Sequence, residues 1–223
     1  MSIKSWFHRL SIITLLIFSS LTLFNLPANA FVATDYTKLL VTNACVDCDL
    51  TQIDLSNKDL YGSALNGANL TGANLSGTLL NDANLSNAIL TNANLSGIIG
   101  MGTNFTNADL TGADLSKADL YNALFSGAIL SNANLTEADL TEAVLSTATL
   151  SNVSAENTKL RSAVLTGANL SSANFSNSYM RNTKLRGATL SETKLTQADL
   201  FNALMPDGTV YNGKVEQFGA IGS

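Results

Sequence analysis

Ala68-Asn69-Leu70-Thr71-Gly72 is followed at once by Ala73-Asn74-Leu75-Ser76-Gly77, so a five-residue unit occurs twice in succession. The unit keeps its phase through 32 repeats, whose central residues fall at every fifth position from Leu50 to Met205. Thirty centres are Leu, Phe or Met, and the residue two positions earlier is small in 28 units. Asn or Asp directly precedes the centre in sixteen. A period of five matches neither an α-helix nor a continuous β-strand.

Each unit predicts a very short strand followed by a corner. The small residue and the centre are two positions apart, so both point to the same side of an extended segment. The remaining positions carry Asn, Asp, Ser, Thr and Gly, which favour turns. Because one unit cannot bury its apolar pair alone, the pattern predicts a solenoid in which successive units stack.

This pattern resembles the pentapeptide-repeat family, whose consensus is Ala-(Asp/Asn)-Leu-x-x, over residues 46–205. The resemblance implies an all-β solenoid: a right-handed quadrilateral β-helix of about eight coils, with four units in each coil. Residues 31–45 are expected to form a short helical N-terminal cap that covers the first coil, with Thr34 or Asp35 preceding the helix as its N-cap. Residues 206–223 are expected to form a C-terminal hairpin or loop cap, with the hairpin turning at Asn212-Gly213.

Residues 1–30 predict a secretory signal peptide. Lys4 and Arg9 precede an apolar run, and Ala28 and Ala30 are the small residues that a signal peptidase requires before Phe31. The apolar run is short for a membrane span, so export without a permanent membrane anchor is favoured over a retained anchor.

Charge is unevenly distributed along the chain after residue 30. Residues 31–157 carry 13 acidic residues and three lysines, whereas residues 158–223 carry four acidic and seven basic residues. This asymmetry predicts an electric dipole along the solenoid. The competing interpretation is ordinary surface solvation.

Cys45 and Cys48 stand at the beginning of the repeat, at a centre position and a small position, so both side chains are expected to point inward. A Cys-x-x-Cys pair in a reducing compartment indicates redox or metal chemistry, but two ligands do not make a zinc site. In an exported protein the pair favours a structural disulfide. Together with the signal and the pre-repeat segment, it resembles exported pentapeptide-repeat proteins of cyanobacteria and chloroplasts. That resemblance implies the thylakoid lumen or the periplasm.

Two irregular units predict local compensation in the core. Gly100 and Ala155 replace leucine centres, and Ile98 and Val153 replace the usual alanine two positions earlier. Dense packing requires the lost volume to be restored nearby. Phe105 and Phe125, twenty residues apart, are expected to stack on each other.

Catalytic chemistry is not expected. Residues 31–223 contain no histidine, and their serines and threonines lie in outward positions without a base. Asp119 and Asp139 fall in one column, where a carboxylate pair could hold calcium or act as acid and base. Lys159 follows in the same column, so a neutralised surface ladder is favoured, and neither a metal nor a cofactor is expected.

One outward column departs from the Asn and Asp pattern and predicts a docking surface. In steps of twenty it reads Leu124, Val144, Val164, Lys184 and Leu204. Apolar surface bordered by arginine is typical of interfaces; the alternative is that exposed β-branched ladders only strengthen the sheet. The candidate residues, here termed the partner strip, are Tyr121, Leu124, Val144, Arg161, Val164, Arg181, Lys184 and Arg186.

The sequence therefore predicts an exported, non-enzymatic scaffold that binds an unknown protein partner or a second copy through flat solenoid faces. The alternative follows from a resemblance to cytoplasmic pentapeptide-repeat proteins, acidic rods that imitate duplex DNA and engage type II topoisomerases. The export signal separates this chain from DNA, and its basic C-terminal end weakens the imitation. No nucleic acid partner is expected.

Overall fold

The computed structural model describes residues 33–222. The predicted signal peptide and its cleavage site at Ala28, Ala30 and Phe31 lie outside the described residues. Helix α1 spans Ala33–Thr42, and a 3₁₀ helix spans Glu216–Phe218. The rest of the described chain is built from β-bridges one residue long, joined by turns. Within residues 33–222, neither helix has the length and apolar character needed to cross a membrane.

Four parallel ladders define the solenoid. Every bridge within them joins a residue to the one twenty positions later. Face 1 runs from Ala44 to Leu204, face 2 from Asp49 to Thr189, face 3 from Asp54 to Lys194, and face 4 from Asp59 to Asp199. The twenty-residue, four-sided coil implied by the resemblance to the family is confirmed by these ladders.

Backbone hydrogen bonding explains why Asn or Asp precedes so many centres. In the unit of Leu70, the amides of Asn69, Leu70 and Gly72 donate to carbonyls of neighbouring coils, and that of Ala73 closes the corner. The remaining amide, that of Thr71, donates to Oδ1 of Asn69 at 3.2 Å. The Asn side chain before the centre thus accepts from the one backbone amide of the unit that has no backbone carbonyl as acceptor. This matters because an unpaired buried backbone group is costly.

The core is a column of centres and small residues. Phe105 and Phe125 stack with ring centroids 4.9 Å apart and an interplanar angle of 12°, which confirms the expected aromatic pair. Threonines at small positions are also buried; Thr103, for example, donates its hydroxyl hydrogen to the Leu80 carbonyl at 2.8 Å. This acceptor satisfies the buried hydroxyl of Thr103, whereas the buried hydroxyls of Ser63 and Ser178 have no hydrogen-bond partner within the described chain. The expectation that serines and threonines lie in outward positions is therefore wrong for these inward residues.

The space left by Gly100 is filled by its neighbours. A Cβ atom at residue 100 would lie 2.9 Å from Oγ1 of Thr103, 3.3 Å from Cδ2 of Leu120 and 3.4 Å from Cδ1 of Ile98. Ile98 is fully buried, so the expected compensation is confirmed at this unit. Leu120 and Thr103 contribute to the filling as well.

Helix α1 packs against the first coil through fully buried Leu39, whereas Val41 on the same helix is 77% exposed. The helix begins at Ala33, so the expectation that Thr34 or Asp35 precedes it as a cap is wrong. Oδ2 of Asp35 instead accepts a hydrogen bond from the backbone amide of Asp49 at 3.0 Å. This carboxylate replaces the carbonyl that a preceding coil would supply.

The C-terminal segment differs from the expected hairpin about Asn212-Gly213. Val210 pairs antiparallel with Leu204, so the chain reverses earlier, around Asp207 and Gly208. Residues 214–216 form no second strand, because the 3₁₀ helix begins at Glu216. Ile221 then forms a parallel bridge to Lys194 on face 3. The last coil leaves the edges of faces 1 and 3 unpaired, and the C-terminal segment pairs with these edges instead of with itself.

Candidate interaction surface

The apolar members of the partner strip lie where the sequence places them. Leu124, Val144, Val164, Lys184 and Leu204 are joined by successive parallel bridges at the end of face 1. Leu124 is 38% exposed, Val144 and Val164 are half-buried, and Lys184 is exposed. Three apolar side chains therefore follow one another along three adjacent rungs.

The arginines of the partner strip lie on both sides of that column. The carbonyls of Arg161 and Arg181 accept ladder hydrogen bonds from Glu142 and Ser162, which places both arginines at the corner between faces 4 and 1. Arg186 occupies the next corner, between faces 1 and 2, where its carbonyl accepts from Gly167. All three arginine side chains are exposed.

The basic side chains differ in how they are already engaged. Within residues 33–222 the ion pairs are Lys159 with Asp139, at 3.1 Å, and Arg181 with Asp199. Arg181 also lies 5.3 Å from the ring centroid of Phe201, and its hydrogen bond lowers the pKa of Asp199. Arg161 thus forms no ion pair with a carboxylate of the described chain.

Tyr121 brings an acidic group into the surface. Its hydroxyl donates a hydrogen bond to Oε2 of Glu142 at 2.7 Å. This bond and the negative charge of Glu142 raise the pKa of Tyr121, while the nearby charge of Arg161 acts in the opposite direction. The surface therefore carries both positive and negative groups, whereas the residues of the partner strip include no acidic residue.

Sequence reasoning included Tyr121, Arg161 and Arg181 of the corner that follows face 4, but it missed the exposed apolar and aromatic residues of face 4 itself. Leu79 and Ile99 are adjacent exposed rungs of face 4, and Tyr179 on the same face is 56% exposed. The corner column, here termed the aromatic–basic corner, consists of Tyr61, Asn81, Met101, Tyr121, Thr141, Arg161, Arg181 and Phe201. A signal was present, because the equivalent column after face 2 contains only Ser and Thr, from Thr51 to Ser191.

Two grooves open on this side of the molecule. One, of about 330 Å³, is lined by Thr141, Lys159, Arg161 and Tyr179. The other, of about 380 Å³, lies at the last coil, where Phe201, Val210 and Tyr211 contribute to its wall.

Cys45 and Cys48 form a disulfide, with the sulfurs 2.06 Å apart. Cys45 is fully buried, and Cys48 is 5% exposed. Asp35 lies within 4.8 Å of both sulfurs, so the three residues form a cluster of potential metal ligands. Because both sulfurs are bonded to each other, neither is the thiolate that binds zinc.

Asp119 and Asp139 are bridged neighbours on face 4, and Lys159 is the next rung, as expected. Burial raises the pKa of Asp139, but hydrogen bonds from Thr141 and Lys159 outweigh this effect, so its pKa is lowered. A carboxyl group with a lowered pKa stays ionised at neutral pH and is a poor general acid. Lys159 thus neutralises Asp139, whereas Asp119 forms no ion pair within residues 33–222.

Comparison with known proteins identifies the repeat. Eight copies of the family described as pentapeptide repeats match residues 45–82, 68–99, 79–116, 102–127, 128–167 and 163–202. None of the curated proteins compared with the chain matches it.

Solved structures with the same repeat resemble the chain. HetL, a pentapeptide repeat protein involved in heterocyst differentiation regulation from Nostoc sp. strain PCC 7120, is 29% identical; the alignment covers 82% of this chain and 100% of HetL, with a TM-score of 0.26. A pentapeptide repeat protein from the Arabidopsis thaliana thylakoid lumen is 35% identical over 55% of this chain and 68% of its own, with a TM-score of 0.28. Full-length QnrB1, a plasmid-mediated fluoroquinolone resistance protein, is 20% identical over 81% and 91%, with a TM-score of 0.47.

Proteins with this repeat fold as right-handed quadrilateral β-helices, and they are generally non-enzymatic structural or interaction proteins. The matches to the family extend from residue 45 to residue 202, which is more than half of the chain. The chain therefore belongs to the pentapeptide-repeat family.

Proposed function

We propose that this chain is an exported, non-enzymatic scaffold that binds a protein partner through flat solenoid faces in the thylakoid lumen or the periplasm. In this proposal about eight coils form a rigid rod between the α1 cap and the C-terminal cap. The observation that carries the proposal is the run of Leu124, Val144 and Val164 on adjacent rungs, bordered by Arg161 and Arg186.

The composition of this run supports binding over sheet reinforcement alone. Ile89 and Ile129 on face 2 are also exposed, but Asp109 separates them, so they form no continuous apolar column. Only a continuous apolar surface offers enough area for a partner to bury, and arginine at its border is enriched in interfaces. The partner strip combines both properties.

Two features support export. Residues 1–30 have the pattern of a secretory signal, with Ala28 and Ala30 before Phe31. The disulfide between Cys45 and Cys48 suits an oxidising compartment, where such bonds persist.

Val144→Asp combined with Val164→Asp tests the docking surface. Two carboxylates on adjacent rungs should abolish binding, because the partner would have to desolvate both charges. The measurement is affinity capture of the processed protein from the exported fraction, with bound proteins identified by mass spectrometry and folding checked by far-ultraviolet circular dichroism.

Ile129→Asp combined with Thr149→Asp is the matched control, because these residues occupy adjacent rungs of face 2. It should leave the captured proteins unchanged. Equal capture by the wild type and both variants would leave the partner strip as sheet packing only and would contradict the proposal.

The second candidate is the acidic rod that engages a type II topoisomerase. Residues 31–157 contain 13 acidic residues, and this negative charge favours the imitation of duplex DNA. Recovery of a topoisomerase from whole cells, on protein that still begins at Met1, would favour it over the exported scaffold.

A further inference from the structure

The residue types at the corners of the solenoid differ from one side of the molecule to the other. The corner columns after faces 2 and 3 contain Ser and Thr at every position except Glu156, from Thr51 to Thr196. The aromatic–basic corner contains two tyrosines, a methionine, two arginines and a phenylalanine at the equivalent positions. Tyr, Met, Phe and Arg are enriched in interfaces, whereas Ser is depleted. The corner therefore has a composition typical of interfaces, which the corner columns after faces 2 and 3 do not have.

The groove of about 330 Å³ lies on this side and centres on a single rung. Lys159 and Arg161 belong to that rung, Thr141 to the preceding coil and Tyr179 to the following coil. The aliphatic stems of Lys159 and Arg161, together with the Tyr179 ring, can form apolar walls below charged and hydroxyl groups. Its volume lies at the lower end of the range of ligand-binding pockets, and its lining residues are mostly polar and charged.

Charge in the groove is only partly compensated. Nζ of Lys159 lies 3.1 Å from Oδ2 of Asp139, so that pair is neutral as a whole. Arg181, one rung away, is paired with Asp199. Arg161 forms no such pair within residues 33–222, which leaves its guanidinium as the groove's uncompensated charge.

We propose that this groove binds a carboxylate side chain of an acidic, extended segment of the partner protein, with Arg161 as its anchor. The planar guanidinium presents two parallel donors that match a carboxylate, and the hydroxyl of Tyr179 supplies a further donor. The methylene groups of a glutamate fit against the apolar walls. An acidic segment is the occupant because its carboxylate would compensate Arg161, while the nearby Glu142 is already hydrogen-bonded to Tyr121. The segment would lie along the aromatic–basic corner.

This inference rests on the proposed scaffold function and names the chemistry of its partner. The probe is a fluorescein-labelled peptide of alternating Glu and Gly, and its binding to the protein purified as it accumulates in cells is measured by fluorescence anisotropy. A peptide of alternating Gln and Gly should not bind. Arg161→Ala should weaken binding of the Glu peptide about tenfold or more, as expected for a lost charged hydrogen bond.

Two further variants separate specific binding from general attraction. Lys194→Ala removes one exposed positive charge from face 3 and should change affinity less than about twofold, because solvent-exposed charges at a distance are screened. Arg161→Lys keeps the charge but loses the planar fork, so its affinity should fall between those of wild type and Arg161→Ala. Equal losses for Arg161→Ala and Lys194→Ala would overturn the proposal, as would binding of the Gln peptide.

The same variants distinguish this inference from the proposed function. If Val144→Asp with Val164→Asp abolishes capture of the natural partner while Arg161→Ala does not, the groove proposal fails and the scaffold function stands. If neither variant affects capture, both fail. Arg161-dependent self-association without peptide binding, seen by analytical ultracentrifugation, would identify a second copy as the occupant and overturn the peptide proposal.

Discussion

At the scale of the residue, the core tolerates a missing centre only where neighbouring side chains occupy its space. Gly100 illustrates this, since a Cβ atom there would already approach Thr103, Leu120 and Ile98 within 3.4 Å. Ala155 is also fully buried, and in the same unit Val153 replaces the usual, smaller alanine. Dense packing, rather than the identity of any one residue, is what each unit must preserve.

Ile98→Ala should therefore lower the free energy of unfolding by about 2–5 kcal/mol, because it leaves two small residues in one unit and creates a cavity. Ile53→Ala is the matched control: Ile53 occupies the same position in a unit that keeps its leucine, Leu55. The control should cost less, since Ala with Leu is the ordinary composition of a unit. Urea denaturation measures both, and an equal cost for the two variants would contradict the packing argument.

At the scale of the element, α1 is attached to the first coil by polar and apolar contacts, and a disulfide lies in the coil beside it. The disulfide closes the first corner, Oδ2 of Asp35 accepts from the amide of Asp49, and Leu39 is fully buried. Nζ of Lys38 also lies 3.7 Å from Sγ of Cys48. The helix therefore protects part of the edge of the first coil, and open sheet edges otherwise invite aggregation.

Cys45 and Cys48 should resist alkylation in protein from its natural source unless a reductant is added. Intact-mass analysis should then show no added groups without the reductant and two with it. Since the two cysteines are three residues apart, Cys45→Ser with Cys48→Ser should cost less than the ~2–4 kcal/mol typical of longer disulfide loops. Two alkyl groups on unreduced native protein would show that the disulfide is not formed there.

At the scale of the whole molecule, charge and surface chemistry vary in two different directions. Acidic residues predominate in residues 31–157 and basic residues after residue 158, so charge changes along the axis. Aromatic and apolar residues instead concentrate on face 4, the aromatic–basic corner and face 1, so recognition chemistry changes around the axis. The groove at Arg161 lies where the basic portion and the aromatic side coincide.

The protein in the exported fraction should begin at Phe31, because Ala28 and Ala30 satisfy the peptidase that removes the signal. N-terminal mass spectrometry of that fraction is the measurement. Ala28→Leu with Ala30→Leu is the control, since bulky residues should block processing and retain the apolar segment. An intact Met1 on the wild-type protein in that fraction would contradict the predicted export.

Much of the fold could be predicted because the same five-residue pattern of inward and outward positions occurs 32 times in phase. The phase of the repeat identified most of the buried positions, with Lys58 as an exposed exception. Combined with the twenty-residue coil that the family resemblance implies, it also placed the Phe105–Phe125 pair and the column from Leu124 to Leu204, which the structure confirms. The ends were less predictable. No repeat constrains residues 206–222, and their pairing depends on which edge of the last coil is nearest.

The sequence by itself determined the solenoid and the compensation at Gly100, because local spacing dictates which side chains point inward. The four-sided coil was implied by the resemblance to the family and not by the spacing. Only the tertiary structure decided which outward side chains are already paired. Arg161 and Arg181 are indistinguishable in the repeat, yet Arg181 is held by Asp199 and Phe201 whereas Arg161 opens onto a groove with Tyr179. Such pairing depends on distances between coils and side-chain conformations, which a period in the sequence does not encode.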